Sequence, residues 1–157
     1  MRINKKGEIY VLICVFMIVI LTTFSVIFTY ASIITNVKVQ QTNTEIVFDS
    51  FVANNSILIY NNIKQGKNAT DGVNVSNFRT SLKEFCTFEE KDGKYYAKDT
   101  TGSEKFNITI PQMGYIEDEA LELYVTYTMS IPIRFAGHTV TTANVPVRVT
   151  SVLTKIN

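Results

Sequence analysis

Few side chains in this sequence could carry chemistry, and their neighbours argue against each of them. The single histidine, His138, follows Phe135-Ala136-Gly137 where one strand pattern gives way to another, so it reads as a solvated turn residue and not as a base or ligand. No spacing assembles a Ser/His/Asp or Cys/His set around it. Cys14 lies inside an apolar run and reads as a small buried hydrophobe, while Cys86, in SLKEFCTF, reads as a free thiol packed in a core. With Cys14 inside the membrane and Cys86 in the exported part, no disulfide joins them; an intermolecular bridge at Cys86 is the minor alternative. Glu117-Asp118-Glu119 with Glu122 offers oxygens to a hard cation, but it lacks the alternating Asp/Asn and Gly of calcium loops and reads as a solvated turn. Lys94-Tyr95-Tyr96 could stack on a base or sugar, yet it sits in no basic patch, and a net charge of +1 speaks against nucleic acid. Asn-x-Ser/Thr triplets begin at Asn54, Asn68, Asn74 and Asn107, as chance would supply in an Asn- and Thr-rich chain. No catalytic, cofactor-binding or metal site is expected, and an enzyme is the least favoured class.

What the sequence specifies is a scaffold. From Ile9 to Val37 there are 29 residues without Asp, Glu, Lys or Arg. As a helix this run is roughly 40 Å long, against about 30 Å of bilayer hydrocarbon. Arg2, Lys5 and Lys6 precede it and only Lys38 follows closely, a bias that favours a cytoplasmic N-terminus and an external remainder. The run is about twice as long as a typical signal-peptide core, although Thr29-Tyr30-Ala31 could serve as a cleavage site. Cys14 follows Ile13 and not a small residue, which makes a lipoprotein signal a weak reading.

Helical character continues past the span. Neither Pro nor Gly occurs between Glu8 and Gln65, and Ile34, Val37, Gln41, Thr44, Phe48, Phe51, Asn55, Leu58 and Asn62 recur at helical spacing, with Val47, Val52 and Ile59 beside them. One helix over about residues 8 to 63 is expected, stopped by Gly66. A short second helix should begin at Ser76 or Asn77 and present Phe78, Leu82 and Phe85 on one face. Beyond the Asp92-Gly93 turn signal the period becomes two: KYYAK, KFNITI, LELYVTYTMSIPIRF and HTVTTANVPVRVTSVL read as strands. In the third, odd positions Leu121 to Phe135 are apolar against Glu122, Thr126, Thr128, Ser130 and Arg134 among the even ones, so one face is buried. Pro132 and Pro146 belong at edges, bulges or non-bonding positions. The fold class is α+β: a long N-terminal helix followed by a small antiparallel sheet.

KKGEIYV at the head of an apolar helix, the amphipathic continuation, and the closing LELYVTYTMSIPIRFAGHTVTTANVPVRVTSVL together resemble the type IV pilin-like proteins. Within that group the chain looks like the TadE/TadF-like minor pseudopilins, and its N-terminus is similar to a Firmicute family, domain of unknown function 4320. The resemblance is one of layout over nearly the whole chain. It implies cleavage by a prepilin peptidase between Gly7 and Glu8, after which Glu8 would be the first residue. Pilins of the family carry Glu at the fifth mature position; here that position is Leu12, so the acid is missing or has moved to Glu8.

The resulting expectation divides the chain into a basic cytoplasmic leader (1–7), a transmembrane helix (8–37), its amphipathic external continuation (38–64) and a small α+β domain (65–157). The expected role is that of a minor pilin-like structural component of a Gram-positive surface pilus or secretion apparatus. Ile34, Val37, Phe48, Phe51 and Leu58 form the candidate self-association stripe. Expected partners are membrane lipid, other pilin-like subunits or assembly-platform proteins, and the peptidase. The alternative is a single-pass membrane-tethered binding module that displays a β-rich domain.

Overall fold

A computed structural model describes residues 5–117, 120–135 and 138–153, with the side chains of Lys5, Lys6, Glu8 and Phe135 left aside. Most of the basic leader, Asp118-Glu119 of the acidic group and Ala136-Gly137 of the last turn therefore lie outside the described residues. The chain divides into two compact units, Met1–Asn36 and Val37–Asn157.

Helix α1 runs Lys5–Lys64, within three residues of the expected bounds at the start and one at the end. In the first unit it is apolar all round, and side chains on every side of it, such as Leu12, Phe16 and Phe28, are exposed. Its threonine hydroxyls are turned back on the helix: Thr22 donates to the Ile18 carbonyl, Thr23 to Val19 at 2.8 Å, Thr29 to Ser25 at 2.8 Å and Thr35 to Ala31 at 2.9 Å. A threonine so bonded exposes its methyl and hides its polar atom. The segment is long and apolar enough to cross a membrane.

In the second unit α1 ends in a Schellman motif. Lys67 N–H reaches the Asn62 carbonyl at 2.9 Å, Gly66 N–H reaches that of Ile63 at 2.9 Å, and Gly66 takes a φ of 67°. Helix α2 spans Val75–Phe85. Its N-cap is Asn74, whose side chain accepts from Ser76 N–H at 3.0 Å, so the helix starts earlier than a Ser76 or Asn77 cap would place it. Phe78 and Leu82 are fully buried as expected, but Phe85 is 54% exposed beside the groove between α1 and α2.

Among the described residues six strands follow: β1 Glu89–Lys91, β2 Lys94–Lys98, β3 Glu104–Thr109, β4 Gln112–Glu117, β5 Leu121–Phe135 and β6 His138–Leu153. Strands β1 and β4 were not expected, and β3 starts one residue before KFNITI. Asp92 (φ 51°) and Gly93 (φ 69°) join β1 to β2 with both central residues left-handed, the requirement of a two-residue hairpin turn. Strand β5 is the spine. Strand β6 pairs along one of its edges from Leu121↔Leu153 to Phe135↔His138. The other edge is shared end to end by β4, from Gln112↔Thr126 to Glu117↔Leu121, and β3, at Asn107↔Ser130 and Ile108↔Met129. Strands β3 and β4 are thus one strand broken at Ile110-Pro111, where the register slips by a residue. Pro111 has no N–H for the ladder, Thr128 N–H bonds to Thr109 Oγ1 instead at 3.0 Å, and the freed Pro111 carbonyl accepts from Arg79 Nε of α2 at 3.1 Å.

Since Thr128 N–H faces β3, the Thr128↔Pro146 pair is a non-bonded one across β5 and β6, and Pro146 costs the ladder nothing. Pro132, four residues on, has the same orientation. The odd positions of β5 from Leu121 to Ile131 are all buried, and Val147 and Val149 of β6 lie beside Tyr127 and Val125 on that face. Ile133 is only half-buried, because no strand but β6 accompanies β5 beyond Ser130. Helices α1 and α2 cover this face. Phe78 packs edge-on to Phe48 with centroids 5.5 Å apart and tilted against Phe51 at 5.7 Å.

Candidate functional site

Gly7 is exposed within α1, with open space where a Cβ would stand. Leu12, at the position where pilins carry Glu, is 71% exposed in the apolar unit. Among the candidate stripe residues, Phe48 and Phe51 belong to the chain's own core, Val37 is half-buried, and Ile34 and Leu58 remain exposed at 37% and 39%. The buried face of α1 in the second unit is formed by Gln40, Thr44, Val47, Phe48, Phe51, Val52, Ile59 and Asn62. Gln41, which the sequence reading put on the apolar row, is exposed, and its neighbour Gln40 is inside.

Gln40 belongs to a buried polar cluster that sequence reasoning missed. Thr44 donates its hydroxyl to the Gln40 carbonyl at 2.8 Å, which leaves its two lone pairs for Gln40 Nε2 at 3.3 Å and the Tyr127 hydroxyl at 3.0 Å. Gln40 Nε2 also reaches Cys86 Sγ at 3.6 Å. Burial pushes the Tyr127 hydroxyl up to about 12 against the acceptance it finds at Thr44, and burial likewise raises the half-buried Cys86 thiol. Both groups are held neutral. The cluster pins α1 to β5 and to the end of α2.

Two surfaces of the second unit remain open. The first follows α1 on the side away from the sheet, where Val39, Ile46, Ala53 and Tyr60 recur every seventh residue with Ile57 between the last two, all exposed. Ile46 and the exposed Phe85 flank a groove of about 430 Å³ between α1 and α2, floored by Val47 and Phe51. The second is the sheet face opposite the helices. Register places Gln112, Thr126 and Arg148 in one row across β4, β5 and β6, followed by Thr128 and Pro146. They line a cleft of about 580 Å³ together with Thr109 and Gly93. At its side Tyr124 lies flat across Gly114, where a Cβ would come within 2.6 Å of the ring, and Arg148 stacks on the same ring at 4.0 Å. His138 is exposed as the first residue of β6, and no cluster of three metal-ligating side chains occurs among the described residues.

Neither of these surfaces contains a nucleophile beside a base, and comparison of the chain with family models, curated proteins and solved structures finds no match.

Proposed function

We propose that this chain is a minor pilin-like structural subunit of a surface filament or secretion apparatus, held in the membrane by the first part of α1 with its N-terminus cytoplasmic and the Val37–Asn157 unit outside. The observation that carries the reading is the two-sided use of α1 in that unit. One side is consumed by the chain's own sheet and α2. The other keeps an exposed apolar row at a seven-residue repeat, one of the two apolar positions per heptad by which helices pack side by side, with Ile57 at the second. Phe48 and Phe51 are committed to the internal core, so lateral packing falls to Val39, Ile46, Ala53, Ile57 and Tyr60. The all-apolar helix of the first unit supports the membrane assignment, because such a surface needs lipid or other helices around it.

Intact mass of the protein taken from its native membrane tests this reading. A mature chain that begins at Glu8 is the expected result; one that begins at Met1 removes the peptidase step and with it the pilin-like assignment, and one that begins near Ser32 removes the anchor. The second reading, a membrane-tethered binding module, is favoured by the cleft on the outer sheet face.

A further inference from the structure

The outer sheet face has a composition unlike a surface that only keeps a domain soluble. Its middle rows read Gly114–Tyr124–Thr150, Gln112–Thr126–Arg148 and Asn107–Ser130–Asn144, so hydroxyls and amides dominate there, while the end row Ile116–Glu122–Val152 sets a carboxylate between two exposed apolar side chains and Arg134 stands toward the other end. Lysine and glutamate, the usual solubilising residues, stand at its margins on β1 and β2, where Lys98 and Glu89 pair at 2.6 Å. In the middle stands one guanidinium. Arg148 is exposed yet held against the Tyr124 ring, and that ring is itself seated on Gly114, the one residue that lets it lie flat. A stacked arginine has already lost much of its side-chain freedom, and its planar fork matches a carboxylate or phosphate. Beside it the Gln112 amide and the Thr126 hydroxyl stand one strand spacing apart, about 5 Å, and the Thr128 hydroxyl follows two residues along β5, about 7 Å on, so donors and acceptors recur in both directions across the face.

We infer that this cleft binds a polyhydroxyl polymer that carries carboxylate or phosphate groups, with Arg148 as the anion anchor, Tyr124 and Gly114 as the seat that positions it, and Thr126, Thr128 and Gln112 as the hydroxyl-reading row. The cleft is open, and its lining is as much polar as apolar, which suits an extended hydrated chain better than a compact apolar ligand. The inference holds whether or not the chain polymerises: the mass measurement above decides the filament reading and leaves the cleft untouched.

The test uses the full chain in detergent micelles, titrated with an oligogalacturonate, an oligo(glycerol phosphate) and a neutral dextran oligomer of matched length. At least one acidic oligomer should bind ten times or more tighter than dextran, weaken as salt rises, and thereby show whether carboxylate or phosphate is preferred. Arg148→Gln should reduce that binding at least tenfold, Arg148→Lys should recover only part of it, and Gly114→Ala, which displaces the Tyr124 ring, should weaken it while the far-ultraviolet circular dichroism stays unchanged. Lys67→Gln, in the loop after α1, should bind as the parent does. The inference is overturned if neither acidic oligomer binds, if dextran binds as well as they do, or if Arg148→Gln binds with parental affinity.

Discussion

Thr44 is the hub of the buried polar cluster, and replacing it with valine tests whether the cluster is wired as described. Valine keeps the shape and burial of threonine but removes the acceptor of both the Tyr127 hydroxyl and Gln40 Nε2. Each orphaned buried donor costs about 1–3 kcal/mol, so Thr44→Val should destabilise the Val37–Asn157 unit by about 2–4 kcal/mol. Tyr127→Phe leaves only one empty lone pair on Thr44 and should cost about 1 kcal/mol. The double variant should cost less than the sum by about 1 kcal/mol, because the hydroxyl orphaned in Thr44→Val is no longer present. A second readout comes from pH. The unfolded chain ionises this tyrosine near pH 10 and the folded one only near 12, so between those values the folded state holds one more proton. Stability then falls as pH rises through that window, by about 1.4 kcal/mol per pH unit and about 2–3 kcal/mol in all; it is fully present below pH 10. Tyr127→Phe should reduce this alkaline slope, leaving the part that the buried Tyr95 hydroxyl and Cys86 thiol, both also raised, contribute. Thermal unfolding of the detergent-solubilised full chain, followed by near-ultraviolet circular dichroism from pH 7 to 12, measures both effects. Strictly additive single variants would show that Thr44 and Tyr127 do not share a bond, and an alkaline slope undiminished by Tyr127→Phe would show that burial of this hydroxyl is not its source.

Phe48→Ala removes a fully buried ring from between α1 and α2 and should cost about 3–5 kcal/mol in denaturant melts, while Phe85→Ala, on the open flank, should stay within about 0.5 kcal/mol. Asn74→Ala removes the side-chain cap of α2 and should lower stability by about 1 kcal/mol, with Asn74→Ser recovering most of it.

Periodicity made the long elements legible. The uncharged run and the absence of Pro and Gly set α1 to within a few residues, and the odd-even alternation of β5 named its buried face, because burial on one side of a strand leaves that signature in the residues themselves. Strand β4 left none: in Gln112–Glu117 no side chain is fully buried, Gly114 interrupts, and Pro111 precedes it, so the segment looks like a loop until its pairing with β5 is known. Gln40 was invisible for a related reason. A buried glutamine is tolerated only when partners wait for it, and its partners Thr44 and Cys86 lie one helical turn and 46 residues away. The row Gln112, Thr126 and Arg148 exists only through the register of three strands, and no local spacing in the sequence contains it.

That register also guards against error. The pairing of β6 with β5 settles two things at once, since the same alternation that turns Val147 and Val149 inward turns Arg148 outward. A hairpin that closed one residue out of step would strip both valines from the core, a loss of about 3 kcal/mol, and drive the guanidinium into it unpaired. The bulge between Ile133 and Arg134, near the turn where such a mistake would start, adds a second obstacle. A misassembled copy would thus lose its fold and its cleft together, and a copy that folds at all presents Arg148 on its outer face.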